Sequence, residues 1–456
     1  MHGKIKDIIL KTNFKNRKIG FIEAFSIGVG GMVGGGIFAV LGLTISLSHG
    51  AAPISFAIAG LIALVTVYSY VKLSLTYPSE GGTIEFIVQG IGNGVFSAIA
   101  NNLLLISYVI MLALYAYAFG SYGSALFTGS NIVWLQKILS VGVIVLFASL
   151  NLMGSFMIGK AEDIMVFIKL TILIIFAGVG FLTIHVSRLD PASWTNTTSI
   201  ITGGLMIFLA YEGFELIANT AKDIVNPKKN IPRAFYSAVI FVILLYICVA
   251  IVAVGNVSIH EAMVAKDYVL AVAAKPFFGK TGFAVIAVAA MLSTASAINA
   301  TLYGGSRVGY LVAKLGELPK MFDEKIKQGY EGVIIIALLS IIFATTFNLE
   351  NISIAGSAGF LIIFALVNLS NFKLYKETKS NRIIPGIGFL LCTISTVVLI
   401  GYNIIHNPSN LISSALVMGI IAIFSFIYYK VRQTNISEYI DKDLEKIFKQ
   451  HPKNIE

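Results

Sequence analysis

The sequence predicts an all-α integral membrane protein with twelve transmembrane helices. Three observations predict it. Of 456 residues, 57% are hydrophobic and only 12% are charged, with a mean hydropathy of +0.85; a soluble domain carries roughly 25% charged residues. The apolar residues collect in runs close to the ~20 that a spanning helix needs. The basic residues sort to alternate ends of those runs, as the positive-inside rule requires.

The predicted spans are 20–46, 52–76, 90–122, 132–156, 161–185, 199–221, 234–256, 281–305, 331–348, 351–372, 383–404 and 410–430. The third is long enough for a tilted span. The ninth and tenth meet near Phe347–Asn351 and could be miscounted. The run after the basic segment 1–18 is longer than a signal-peptide core, rich in glycine and without an A-x-A-like site, so it reads as a retained first span. With both termini inside, inner segments hold 27 Lys and Arg and outer segments five, Lys137, Arg188, Lys266, Lys275 and Lys280. Lys169 is left over, inside a span. This sorting accounts for the net charge of +10 without a nucleic-acid partner and places the protein in the cytoplasmic membrane, both ends cytoplasmic. Residues 257–280 read as an outer loop with a short helix. The expected organisation is a cytoplasmic segment 1–18, a membrane domain 19–431 and a cytoplasmic tail 432–456. Cys248 and Cys392 sit inside apolar runs, and no metal-ligand spacing or cofactor motif is present.

Span one contains Gly28, Gly30, Gly31, Gly34, Gly35 and Gly36. Glycine costs about 1 kcal/mol against alanine in a helix interior, so this stretch reads as a broken helix. Close packing by small residues is the alternative. Irregular backbone at membrane depth is tolerated where it is buried or lines a cavity. There the amides of a helix start suit a carboxylate and the carbonyls of a helix end suit an ammonium, so one broken helix can bind both ends of a zwitterion.

Span six holds Phe208-Leu209-Ala210-Tyr211-Glu212-Gly213-Phe214-Glu215. Intramembrane carboxylates are functional candidates by default. Glu212 lies nearer the middle and is the stronger candidate for binding or proton coupling; Glu215 could cap or pair near the inner face. Breaks in spans one and six, five spans apart, are the signature of two inverted five-helix repeats with a site between them, here about 19–186 and 198–373, leaving two further helices over 383–431.

Lys169 lies about eight residues, roughly 12 Å, into span five, too deep to snorkel easily. Burial penalises the charged form of an amine, so proton gain and loss there can lock or loosen a helix contact. A permanently charged tether is the alternative. The six histidines, His2, His49, His185, His260, His406 and His451, avoid mid-span positions, and no H-E-x-x-H or G-x-S-x-G motif occurs. An enzyme is therefore disfavoured. So is a channel, since no span shows regular polar spacing.

Four motifs in order resemble the amino acid–polyamine–organocation (APC) superfamily of transporters. Gly30-Gly31-Met32-Val33-Gly34-Gly35-Gly36-Ile37-Phe38 is similar to its first-helix signature, and Tyr77-Pro78-Ser79-Glu80-Gly81-Gly82 to its motif after helix two. Ala210–Glu215 with Asn226-Pro227-Lys228-Lys229-Asn230-Ile231-Pro232-Arg233 resembles its helix-six and inner-loop pattern. Ser293-Thr294-Ala295-Ser296, Gly305-Ser306-Arg307 and Leu318-Pro319 resemble its helix-eight pattern. The resemblance implies a fold like that of the bacterial leucine transporter and substrates such as amino acids or amines. It implies that the backbone of Val33, Gly34, Gly35 and Gly36 holds a substrate carboxylate. Carbonyls near Ile27 and around Phe208 to Ala210 would hold the ammonium. Tyr211 and Phe214 would shape or gate the side-chain pocket, unless they are ordinary helix packing. It also implies that Lys169 bridges helix one to helix eight where sodium sits in sodium-driven relatives, with Gly28, Ser293 and Thr294 as partners. Proton-coupled symport of neutral L-amino acids is the expected activity. A sodium-independent exchanger, or a carrier of cationic amino acids or amines, is the alternative, since Glu212 could favour a cationic side chain or equally be neutral.

Overall fold

The computed structural model describes residues 19–153, 158–322, 325–326, 329–408 and 418–432; the expected segment 1–18 and tail 433–456 lie outside them. The described chain is helical almost throughout: α1 (Phe21–Met32), α2 (Gly36–Ser48), α3 (Ala52–Thr76), α4 (Thr83–Ile91), α5 (Val95–Thr128), α6 (Val133–Leu152), α7 (Ile158–Gly180), α8 (Thr197–Met206), α9 (Leu216–Asn219), α10 (Pro227–Asn256), α11 (Ile259–Val264), α12 (Val269–Ala273), α13 (Lys275–Leu315), α14 (Glu331–Thr346), α15 (Leu349–Lys373) and α16 (Ile383–His406). Residues 418–432 form α17. The strands Lys325–Ile326 and Gly329–Tyr330 pair as a two-residue antiparallel ladder.

Nine described helices are long and apolar enough to cross a membrane, and ten if α1 and α2, bent by 44° at their junction, count as one span. α14 is apolar but shorter. The protein is thus a multi-pass membrane protein. The expected span 90–122 is one helix, α5, that starts five residues later: Gly92, at φ 96°, ends α4, and α5 begins after Gly94. The boundary between the ninth and tenth expected spans is real, because Asn348 Oδ1 accepts from Asn351 N at 2.8 Å and starts α15. The loop expected at 257–280 carries α11, whose N-cap Ser258 forms a reciprocal capping box with Glu261.

Burial decides which helices are central. α5, α8 with the segment that follows it, and α15 are largely buried, whereas α6 and α16 turn most of their apolar surface outward, as lipid-facing helices must. The buried helices cross closely because small residues stand at their contacts.

Candidate functional site

The first helix breaks where its glycines cluster. α1 ends at Met32, a turn runs over Val33–Gly35, and α2 restarts at Gly36. Packing and breaking turn out to coincide. A Cβ on Gly31 would stand 2.8 Å from Gly213 O, one on Gly34 2.9 Å from the Ala297 Cβ, and one on Gly36 2.9 Å from the Ala210 Cα. The residues that loosen the helix are those that let two neighbouring elements, the segment Phe208–Glu215 and α13, approach its backbone.

A C-terminal helix end leaves carbonyls without helical partners, and here side chains from three helices take them. Lys169 Nζ of α7 donates to Gly30 O at 3.0 Å. Tyr246 Oη of α10 donates to Met32 O at 2.6 Å. Ser293 Oγ of α13 donates to Val33 O at 2.9 Å and also to Gly34 O. Lys169 is buried. Its bond falls on Gly30 and not on the expected Gly28, because Gly28 faces Ile217 and Ala238 while Gly30 faces Val166 of α7. Ser293 reaches helix one on its own account, and Thr294 Oγ1 bonds back to Ala290 O of its own helix at 2.8 Å.

Span six does not break in one place. After α8 it tightens into a 3₁₀ helix over Phe208–Glu215 and then gives the short α9. Runs of 3₁₀ longer than three or four residues are uncommon and mark hinges or strain. Ser357 of α15 supports the transition, donating from Oγ to Met206 O at 2.8 Å and accepting from Leu209 N at 3.2 Å.

Between α1, α5, this 3₁₀ segment and α13 lies a cavity of about 20 Å³, whose lining includes Gly30, Gly31, Tyr108, Tyr115, Glu212 and Thr301. That is room for about one water. Of the residues read from sequence as contacting a bound solute, Glu212 lines this cavity. Its Oε2 is buried and without a protein partner among the described residues. Buried polar atoms left unmatched are costly, so this oxygen is prepared for a proton, a water or a solute. Val33, Gly34, Gly35 and Gly36 sit beside the cavity, with Gly34 against Ala297 and Gly35 against Tyr115 and Thr294. Ile27 is half-buried, one turn toward the N-terminus.

The aromatic residues of span six are placed in packing. Phe208 packs edge-on to Phe364 at 5.7 Å and Phe214 lies tilted against it at 5.1 Å, and Phe214 packs edge-on to Tyr70 at 5.2 Å. Tyr211 Oη donates to Phe56 O at 3.0 Å. Ala210 O accepts weakly from Tyr246 Oη at 3.4 Å. The aromatic residues on the cavity are instead Tyr108 and Tyr115 of α5. Nothing local in the sequence distinguishes these two from other tyrosines.

Glu215, one turn beyond Glu212, is the centre of a hydrogen-bond cluster. Tyr108 Oη donates to its Oε1 at 2.8 Å, while Thr83 Oγ1 and Tyr70 Oη donate to its Oε2 at 2.9 and 3.2 Å. The cluster joins spans two, three and six and the short α4. Tyr108 belongs both to it and to the cavity wall.

Polar contacts join the elements at both ends of the bundle. At the lysine-rich end, the Tyr77–Gly82 loop turns on Gly82, at φ +43° and hard against Asn219. Its Glu80 pairs with Lys222 through one oxygen and with Arg307 through the other. At the opposite end Gly42 of α2 lies against the Lys266 backbone with no room for a Cβ. Lys266 pairs with Glu350 at 3.1 Å, and Asp267 accepts from Asn131 Nδ2 at 2.9 Å. Burial pushes the Asp267 carboxyl above its ordinary range, and the Asn131 bond partly offsets this.

Residues 19–429 match the family described as Amino acid permease. The chain is 37% identical over 425 residues to an uncharacterized protein of Methanocaldococcus jannaschii, covering 93% of this chain and 98% of the relative. It is 32% identical over 392 residues to the inner membrane transport protein YbaT of Escherichia coli, covering 86% and 90%. It is 24% identical over 397 residues to the methylthioribose transporter of Bacillus subtilis, covering 82% and 85%.

Proposed function

The chain belongs to the amino acid permease family of the APC superfamily, a family of transporters and not of enzymes, and from that premise we propose that it is a proton-coupled symporter of neutral L-amino acids. The membrane is the cytoplasmic membrane, and the lysine-rich end faces the cytoplasm, as the sorting of basic residues implies. The architecture proposed is twelve spans, with inverted repeats at about 19–186 and 198–373 and two helices after them.

The observation that carries the coupling is Lys169. Its ammonium holds the Gly30 carbonyl at the break of the first helix, one turn from the carbonyls held by Ser293. A charged donor makes a hydrogen bond roughly twice as strong as a neutral one. Proton loss from Lys169 therefore loosens α1 from α7, and proton gain tightens it. The Gly36 start of α2 offers first-turn amides to a carboxylate. Glu212, with its unmatched oxygen on the cavity, takes the proton or the ammonium that accompanies the solute. The ion pairs of Glu80 at one end and of Lys266 at the other are contacts that alternating access would make and break in turn.

The reading favours neutral side chains because Gly30, Gly31, Ala297 and Ala300 leave a small wall whose one ionisable side chain outside the tyrosines is Glu212. Uptake of a radiolabelled amino acid mixture into sodium-free proteoliposomes, with and without an inward proton gradient, tests it. Gradient-driven uptake is expected. Uptake that appears only after preloading with unlabelled amino acid would make the protein an exchanger and Lys169 a fixed tether. Labelled arginine and methylthioribose belong in the same assay, and preference for either would replace the neutral substrate class.

A further inference from the structure

At the lysine-rich end, away from the cavity, a buried carboxyl has no role in the transport scheme above. Glu317 lies in the loop after α13 and is 1% exposed. Asn101 Nδ2 of α5 donates to its Oε2 at 2.8 Å, and Asn102 Nδ2 donates to its backbone carbonyl at 3.2 Å. Three buried acceptors are left over in this one cluster, Glu317 Oε1, Asn101 Oδ1 and Asn102 Oδ1, each without a hydrogen-bond partner among the described residues. A carboxylate has no hydrogen to offer, so an ionised Glu317 leaves all three unmatched. A neutral carboxyl supplies one O–H donor. That hydrogen is the donor these three acceptors lack.

The charged neighbours do not remove the need. Among the described residues no ion pair reaches the Glu317 carboxyl. The elements packed around it carry Lys314, whose ammonium lies over the Tyr310 ring, Lys320 in the turn that follows, and Arg432 of α17, whose guanidinium covers Gly316. From α5 the facing groups are the two asparagine amides.

We propose that Glu317, with Asn101 and Asn102, is a proton-binding latch that ties the inner end of α5 to the loop after α13 and releases it when the proton leaves. The two tied elements carry opposite walls of the cavity. Asn101, Tyr108 and Tyr115 recur every seven residues along α5, so they share one face of it, and α13 carries Ser296, Ala297 and Thr301. The latch thus senses cytoplasmic acidity at a point separate from Lys169. Burial pushes the Glu317 carboxyl up to about 7, with the Asn101 bond offsetting part of that rise.

The sign follows from proton linkage. A carboxyl raised in the latched state and ordinary, at 4.5, in the released state favours latching in acid. The preference falls away as pH rises from about 4.5 to about 7. Between internal pH 6 and 7.5 the released-to-latched ratio should rise about eightfold. Spin labels at Phe96→Cys and Met321→Cys, both exposed positions, in a Cys248→Ser, Cys392→Ala background report the separation directly by electron–electron distance measurement. The method needs neither substrate nor gradient, so its outcome is independent of the transport reading. Wild type should shift toward longer separations at pH 7.5. Glu317→Gln, which keeps both a donor and an acceptor, should stay in the short-distance population at either pH. Infrared spectra should show a carboxylic acid band that disappears between pH 6 and 8 and is absent from Glu317→Gln. Should that variant not fold, wild type alone decides, since an unchanged distance distribution between pH 6 and 7.5 overturns the latch. So does a Glu317→Gln protein that keeps the wild-type shift.

Discussion

Replacing Lys169 by methionine separates a coupling lysine from a structural one. Methionine keeps the length and the apolar stem but removes the donor to Gly30 O. A hydrogen bond from a charged group contributes about 1.5–3 kcal/mol and a neutral one about 0.5–1.5. Deprotonating Lys169 therefore weakens the α1–α7 contact by about 1 kcal/mol, roughly fivefold in the helix equilibrium. Removing the donor altogether strands a buried carbonyl at about 1–3 kcal/mol, roughly five- to 150-fold. The expected protein folds, takes up amino acid slowly by exchange, and shows the same uptake from external pH 5 to 8 where wild type falls with rising pH. Initial rates in proteoliposomes at fixed membrane potential provide the measurement. A Lys169→Met carrier that retained the full wild-type pH profile would refute the assignment of the coupling proton to this residue.

Other consequences can be checked in parallel. Glu80→Gln should loosen the lysine-rich end. Its partners Lys222 and Arg307 are part-exposed, with side-chain exposures of 23% and 38%, so each pair is worth about 0–1 kcal/mol. The effect should be a few-fold gain in access to Ala300→Cys from that side, reproduced in wild type by high salt. Gly213→Ala should cripple folding, since the added Cβ would meet backbone atoms of α1, Gly31 O among them at 2.7 Å, with no flexible side chain to yield. Gly142→Ala meets nothing within 4 Å and should stabilise α6 by up to about 1 kcal/mol; melting of the purified protein in detergent compares the two. Glu215→Leu strands the Tyr108 hydroxyl at about 1–3 kcal/mol and leaves Tyr70 and Thr83 only their mutual 2.8 Å bond, so it should lower the melting temperature, while Glu215→Gln, which keeps one acceptor oxygen, should recover part of the loss.

Much of the framework was legible because the bilayer imposes a one-dimensional rule. Run length and the side on which lysines fall are properties of the chain alone, and the helices appear where the apolar runs are. The glycines of span one announced irregular backbone for the same reason, since their conformational cost is local. Local patterns also misled in places. Gly92 and Gly94 delay the start of the third span by five residues, and span six yields to a 3₁₀ stretch instead of a clean break.

The site was legible in one dimension only. Glu212 stood out because a carboxylate in an apolar run is conspicuous wherever it lies. Tyr108 and Tyr115 did not, because a tyrosine in an apolar helix looks alike whether it faces lipid, core or cavity. Tyr211 and Phe214 are close to Glu212 in sequence, but Tyr211 packs against Tyr246 and Phe214 against Phe364, since a helix turns successive side chains to different sides. The two-residue difference between Gly28 and Gly30 as partner of Lys169 is likewise a matter of rotation about the α1 axis. By itself the sequence determined that this chain crosses a membrane many times, with breaks and buried charges at given positions, because desolvation and backbone satisfaction act on each residue separately. Only the tertiary structure decided which carbonyl Lys169 holds, which hydroxyls surround Glu215 and that Glu317 meets Asn101. Those facts depend on the relative rotation and depth of helices that are distant in the chain.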